Sequence, residues 1–323
     1  MKKILLSFVL IFLAGSLYAS VKVVPLKSSI AGESFQTYIV IDALKALGYQ
    51  VGPIKEVAYA VGYETIAQNS NSDDIYFMAD SWRPIHDAMF EKAGGDKKLF
   101  SKGIYIANSA QGYLIDKKTA DKYHIKYINQ LKDPKIAKLF DANGDGKADL
   151  AGCNPGWGCE KVINYQIKAY GLSKTVTHNQ GQYSAIIADA ITRYKKGKSI
   201  LYYTWTPYWV SGVLVPGKDV VWLQVTHSAH PIVKSTKLPN GMDFGFSVNN
   251  QKIVSNKSIE TKHPDVAKLF SIMKLSVNDV SSENMLIANG QNKDVDMQRH
   301  AKMWIKQHQS TFDKWIQEAK AAK

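Results

Sequence analysis

Cysteine is almost missing from this chain: Cys153 and Cys159 are the only two. A disulfide-dense scaffold is thereby excluded, and with no histidine at finger spacing a tetrahedral zinc site lacks ligands. The C-x2-C spacing of dithiol redox centres is absent as well. Beyond the first residues no stretch approaches about 18 uninterrupted apolar positions, so no membrane-spanning helix is expected. Neither a G-x-S-x-G elbow nor an H-E-x-x-H pair occurs, which leaves hydrolytic chemistry without its usual nucleophile or metal. Internal repeats and low-complexity segments are lacking too. Acidic residues are in the minority, with 28 Asp and Glu against 41 Lys and Arg and a net charge of +13. The lysines are scattered, however, and their densest group, Lys195-Lys196-Gly197-Lys198, includes a turn residue. Without a zinc-finger, RNP or basic-zipper pattern beside them, they imply a solvated basic surface and no nucleic-acid partner.

What the chain does have begins with an export signal. Lys2 and Lys3 precede an apolar run from Ile4 to Leu13, and Leu17-Tyr18-Ala19 ends on a small residue, so cleavage after Ala19 is expected. No cysteine follows to carry a lipid. Residues 1–19 therefore read as a signal peptide, and the mature protein as exported and soluble. In an oxidising compartment the two cysteines pair by default. A ring of this size is worth about 2–2.5 kcal/mol in the loop-entropy treatment, so its use is to shape one loop rather than to hold the whole fold.

Apolar patterning alternates strands with helices. Strands are expected at Val21–Leu26, Gln50–Ile54, Asp74–Ala79, Ile104–Ala107, Gly112–Ile115, Ile200–Trp205 and Val220–Val225. Helices are expected at Phe35–Leu47 and Tyr63–Gln68, with a long amphipathic one from Asp296 to Ala319. This alternation predicts an α/β protein with largely parallel sheets. Crossovers at Ala110–Gly112 and Thr226–Ala229 divide it into two lobes. Residues 20–111 and 228–323 form the first, 112–227 the second, and a ligand cleft lies between them.

Chemistry concentrates in Gly152-Cys153-Asn154-Pro155-Gly156-Trp157-Gly158-Cys159-Glu160, a stapled loop that leads into a helix. Unpaired N–H groups and the positive end of the helix dipole favour an anion at Gly158 and Cys159, while the indole of Trp157 attracts a cation. Two more tryptophans stand at strand ends. Trp82 opens Trp82-Arg83-Pro84-Ile85-His86, and Trp205 precedes Thr206-Pro207, where a central strand cannot continue. Three indoles make a cage for a quaternary ammonium, each face worth about 0.5–1 kcal/mol when exposed and about 2 when desolvated. A primary amine fares worse, because its N–H donors lose water without gaining acceptors. His86 is placed to donate to a carboxylate at the opposite end. Taken singly, Trp82 and His86 are also ordinary half-buried residues; Trp209, Trp222, Trp304 and Trp315 read as packing. Asp141, Asn143, Asp145 and Asp149 imitate the start of a calcium loop, but Gly152 stands where its bidentate glutamate belongs, and such residues also make plain turns.

With these residues in view the chain resembles the periplasmic glycine betaine/proline betaine-binding proteins of ProU-type osmoprotectant ABC importers. The likeness runs over nearly the whole mature chain. It is strongest in Ala110–Asp116, Gln130–Asp149, Gly152–Glu160, Thr177–Gly181, Tyr202–Val210 and Gly217–Val225. It implies a two-lobed type II substrate-binding fold, with no cofactor, no metal and no catalysis. It further implies a monomer in the periplasm that delivers its ligand to a membrane permease and its ATPase. Trp82, Trp157 and Trp205 then enclose a trimethylammonium group, and His86, Gly158 and Cys159 hold the carboxylate. Arg83 and Thr226-His227-Ser228-Ala229-His230 depart from the family pattern and bear on the cleft if they line it. A choline or carnitine receptor of the same fold is the alternative, and a secreted hydrolase using His86 is a remote one.

Overall fold

The computed structural model describes residues 21–323, so the expected signal peptide at 1–19 lies outside the described residues. Twelve strands make two sheets. The first contains β1 (Lys22–Lys27), β2 (Gln50–Val51), β3 (Lys55–Glu56), β4 (Ile75–Arg83), β5 (Leu99–Phe100), β6 (Ile106–Ser109) and β12 (Asn249–Asn256). The second contains β7 (Gln111–Asp116), β8 (Ala148–Ala151), β9 (Val176–Asn179), β10 (Leu201–Trp205) and β11 (Val220–Leu223). The order is β2-β1-β4-β12-β5 in one and β11-β7-β10-β8-β9 in the other, with helices packed around both. No helix among the described residues is long and apolar enough to cross a membrane.

The expectation of largely parallel sheets needs correction. In each sheet the strand that arrives from the other lobe runs against its neighbours: β12 is antiparallel to β4 and β5, and β7 to β10 and β11. The reason is geometric. β4 and β10 end at the cleft, and strands that cross the cleft must start there and travel the other way. Thus Gln111 opens β7 opposite Trp205, and Asn250 opens β12 opposite Arg83.

The first crossing is a single residue, Ala110, between β6 and β7. Its carbonyl accepts from Thr206 N–H at 2.8 Å and its N–H donates to Thr206 Oγ1 at 3.1 Å. The second crossing differs from the expected boundary at Ser228. Tyr170 O–H donates to His227 O at 3.0 Å, Ser228 Oγ donates to Asp243 Oδ2 at 2.5 Å, and Phe246 meets Tyr113 with centroids 5.2 Å apart. The segment after β11 therefore stays on the second lobe, and the chain returns only on the approach to Asn249.

The long C-terminal helix also departs from expectation. It is broken at His308 into Asp294–Gln307 and Gln309–Lys320. Trp304 and Trp315 stack at 5.8 Å and 15° between planes. Eleven residues of straight helix would separate them by roughly 16 Å, so the stack requires the chain to turn back. Both indoles join Phe35, Phe77 and Phe270 in the core of the first lobe.

Candidate functional site

Where the two lobes meet, a small cavity is lined by Trp82, His86 and Ile85 from the first lobe and Trp157, Gly158, Cys159 and Trp205 from the second. Ile30, Tyr59, Gln111 and Tyr203 complete the lining. All six residues singled out from sequence thus border one cavity. The lining contains no lysine, arginine, aspartate or glutamate.

Trp82 is the penultimate residue of β4 and only 7% exposed. The strand runs through it because Lys252, Gln251 and Asn250 of β12 pair with Ser81, Trp82 and Arg83. The chain then turns at Pro84 and Ile85, where Ile85 N–H donates to Asn249 Oδ1 at 3.0 Å. This turn brings His86 back under the strand end: Trp82 N–H donates to His86 Nδ1 at 3.2 Å, and Tyr63 O–H reaches the same nitrogen at 3.3 Å. The backbone donor on Nδ1 puts the ring proton on Nε2. Burial, reinforced by the positive charge of Arg83, pushes the histidine pKa from 6.5 down to about 3. His86 is therefore a neutral N–H donor at physiological pH.

The stapled loop follows β8. Cys153 and Cys159 are disulfide-bonded and buried, with Cα atoms 6.6 Å apart. Asn154 ties the loop down, accepting from Tyr183 N–H through Oδ1 at 2.7 Å and from Trp157 N–H through its carbonyl at 3.2 Å. Gly156 takes φ of +84°, and its N–H donates to Glu160 Oε2 at 2.6 Å. The chain is then delivered to helix Gly158–Ala169 with Trp157 as its N-cap. Among the described residues, no acceptor meets the N–H groups of Gly158 and Cys159. They are the unpaired donors of a helix start, aimed where an anion is stabilised. Gly158 also bears a close approach of the lobes, since a Cβ there would lie 2.5 Å from Ile85 Cγ1 and 2.7 Å from Ile85 O.

Trp205 ends β10 and is 5% exposed. Tyr208 stacks on it at 4.3 Å, Tyr183 packs at 4.7 Å, and Trp157 meets it edge-on at 5.7 Å and 78°. Tyr59 faces the second lobe from the first, 6.3 Å from Trp157 and 4.3 Å from His86. The aromatic wall is thus wider than three indoles. Tyr59 and Tyr203 escaped sequence reasoning because a tyrosine opening a helix, or alternating in a strand, has the pattern of core.

The departures from the family pattern point away from the cavity. Arg83 pairs with Asp87 and lies 4.0 Å over the ring of Phe90. His227 packs against Tyr170 at 5.2 Å, and His230 Nδ1 accepts from the N–H groups of Ile232 and Val233 at 3.1 and 3.2 Å. In the Asp141–Asp149 loop the carboxylates accept backbone N–H groups: Asp141 from Gly144 and Gly146, Asp149 from Ala142 and Asn143. No cluster of metal-ligating side chains occurs among the described residues.

Residues 21–307 match the family described as OpuAC, the substrate-binding domain of ABC-type glycine betaine transport systems. The glycine betaine/proline betaine-binding periplasmic protein of Escherichia coli K12 is 57% identical over 300 residues, covering 92% of this chain and 90% of that one. The glycine betaine-binding periplasmic protein OusX of Dickeya dadantii is 55% identical over 305 residues, covering 94% and 91%. Among solved structures, lactococcal OpuAC, closed on glycine betaine, aligns with a TM-score of 0.68 at 20% identity over 91% of this chain and 99% of that one. A choline-binding protein in complex with choline aligns with a TM-score of 0.69 at 17% identity over 93% and 96%.

Proposed function

The chain belongs to the OpuAC family of substrate-binding domains from ABC-type glycine betaine transport systems, and from that premise we propose how it holds its ligand and where it works. It captures glycine betaine in the periplasm and presents it to a membrane permease driven by an ATPase, without transforming it. The trimethylammonium group rests against Trp82, Trp157 and Trp205, and the carboxylate takes the N–H groups of Gly158 and Cys159 and the Nε2–H of His86.

One observation carries this reading: an uncharged, aromatic cavity has a cluster of unpaired N–H donors at one side. A ligand of zero net charge with a diffuse cation and a compact anion meets both parts. Choline supplies the cation but leaves the donors of Gly158, Cys159 and His86 without an anion, so it should bind more weakly. Proline betaine keeps both charges and should bind. Hydrolysis by His86 finds no support, since Nδ1 accepts the Trp82 N–H and no nucleophile lines the cavity.

Tryptophan fluorescence tests the proposal. Titration with glycine betaine and proline betaine should give saturable changes, with choline weaker and free glycine silent. A protein that responds to none of the methylated ligands would refute it.

A further inference from the structure

The cavity proposed to take a cation has no anionic side chain in its lining, yet one lies directly behind two of its walls. Glu33 stands in the first turn of helix Gly32–Ala46 and is 3% exposed. Its Oε1 accepts the indole N–H of Trp82 at 2.9 Å and the phenol O–H of Tyr59 at 2.8 Å, and its Oε2 accepts the hydroxyl of Ser28. Trp82 and Tyr59 both line the cavity, as does Ile30, whose carbonyl accepts Glu33 N–H at 3.1 Å.

We infer that Glu33 is a positioning residue for the cage and the buried counter-charge of the quaternary ammonium, acting through the rings of Trp82 and Tyr59. The inference rests on the betaine reading and deepens it. Donation of an N–H or O–H to a carboxylate fixes the ring that bears it and is stronger than a neutral hydrogen bond. It also shifts electron density toward the ring face, which is what attracts a cation. One carboxylate thereby orients two walls and makes both more negative, and it avoids direct contact that would demand desolvation of an ion pair.

All three side-chain groups on Glu33 donate to it, one indole N–H and two hydroxyls. The adjacent carboxyl, Asp80, is fully buried; its Oδ2 accepts Ser28 N–H at 3.0 Å, and its Oδ1 has no partner among the described residues. Burial, then the negative charge of Glu33, raises the Asp80 pKa well above the ordinary carboxylate range. Lys27, whose charge acts on Asp80, has its Nζ engaged by Ser28 O at 2.7 Å and Glu56 Oε2 at 3.1 Å. Glu33 also lies at the positive end of its helix dipole, which favours the anion.

The test compares wild type with Glu33→Gln, titrated with glycine betaine and with its carbon isostere, 3,3-dimethylbutanoate, which keeps the carboxylate and lacks the cation. Removal of the counter-charge should raise the Kd for glycine betaine about tenfold or more and leave that for the isostere within about twofold. Equal weakening of both ligands would reduce Glu33 to a structural support and overturn the inference, as would an unchanged betaine Kd. Should Glu33→Gln not fold, Tyr59→Phe decides. It keeps the ring and removes one donor to Glu33, so it must weaken betaine more than the isostere, and an equal effect on both overturns the inference. A wild type that binds no betaine refutes the function itself, an outcome separate from either.

Discussion

Trp157 differs from the other two indoles in being held by a stapled loop, where Trp82 and Trp205 are held by strand ends. It meets Trp205 edge-on, lies near Tyr59 and borders the unpaired N–H groups of the helix it caps. Trp157→Ala should therefore cost about 2 kcal/mol of ligand binding, roughly thirtyfold in Kd, in a fluorescence or calorimetric titration. Trp315→Ala is the contrast. Its ring stacks on Trp304 far from the cavity, so it should lower the melting temperature and leave Kd nearly unchanged. His86 gives a pH prediction. With a folded pKa of about 3 it stays neutral and donor-competent down to pH 5, so betaine affinity should be flat from pH 5 to 8. A tenfold change centred near 6.5 would show the imidazole to be titrating. The same depressed pKa bears on stability. The unfolded chain takes up the proton below about 6.5 and the folded chain refuses it until about 3, so His86 erodes stability as pH falls through that window. His86→Gln should lose less stability than wild type on acidification from pH 7 to 4, measured by thermal unfolding at each pH.

At the scale of elements, the helix start at Gly158 serves two purposes that both need the absence of a side chain. Its N–H faces the cavity, and its Cα lets Ile85 of the opposite lobe approach. The residue is not in the left-handed region, so its own lobe tolerates an alanine. Gly158→Ala should cost about 1–3 kcal/mol of binding by holding the lobes apart, with little change in the melting temperature of the ligand-free protein. Small-angle scattering should then show less compaction with saturating betaine than wild type gives. Equal compaction would mean that Ile85 gives way. The polar strand β12 matters in the same way. Asn249 and Gln251 are buried in the middle of a sheet, and each has a partner: Ile85 N–H for Asn249, Gln36 Nε2 at 2.7 Å for Gln251. β12 thereby anchors the turn that carries His86, and its polarity is the cost of positioning the site rather than a flaw in packing.

For the molecule as a whole, the cleft is bridged at more than the cavity. Asn284, in helix Val277–Ala288, donates to Pro207 O at 3.4 Å, while Met285 of the same helix lies where Gly212 of the second lobe has no side chain. The C-terminal helices of the first lobe thus meet the loop that follows Trp205. A ligand that joins both lobes stabilises them as one body. Glycine betaine at a hundred times its Kd should add about 2.7 kcal/mol to unfolding stability, visible as a higher melting temperature, and Trp157→Ala should need correspondingly more ligand for the same shift.

Local chemistry made much of this protein legible from sequence. Tryptophans before prolines mark strand ends, a cysteine-bounded glycine loop marks a rigid turn, and the alternation of apolar runs marks an α/β chain, because each signal is contained within a few residues. The six residues named on those grounds border one cavity. Tertiary structure alone decided the rest, because it depends on what lies opposite. No strand is expected at β12, which only its pairing with β4, β5 and β6 makes one, and the C-terminal helix reads as continuous until Trp315 folds back on Trp304. Glu33 reads as an ordinary acid in a first turn until two rings from distant segments bring their donors to it. A buried polar group is intelligible only through its partners, and those are set by the fold.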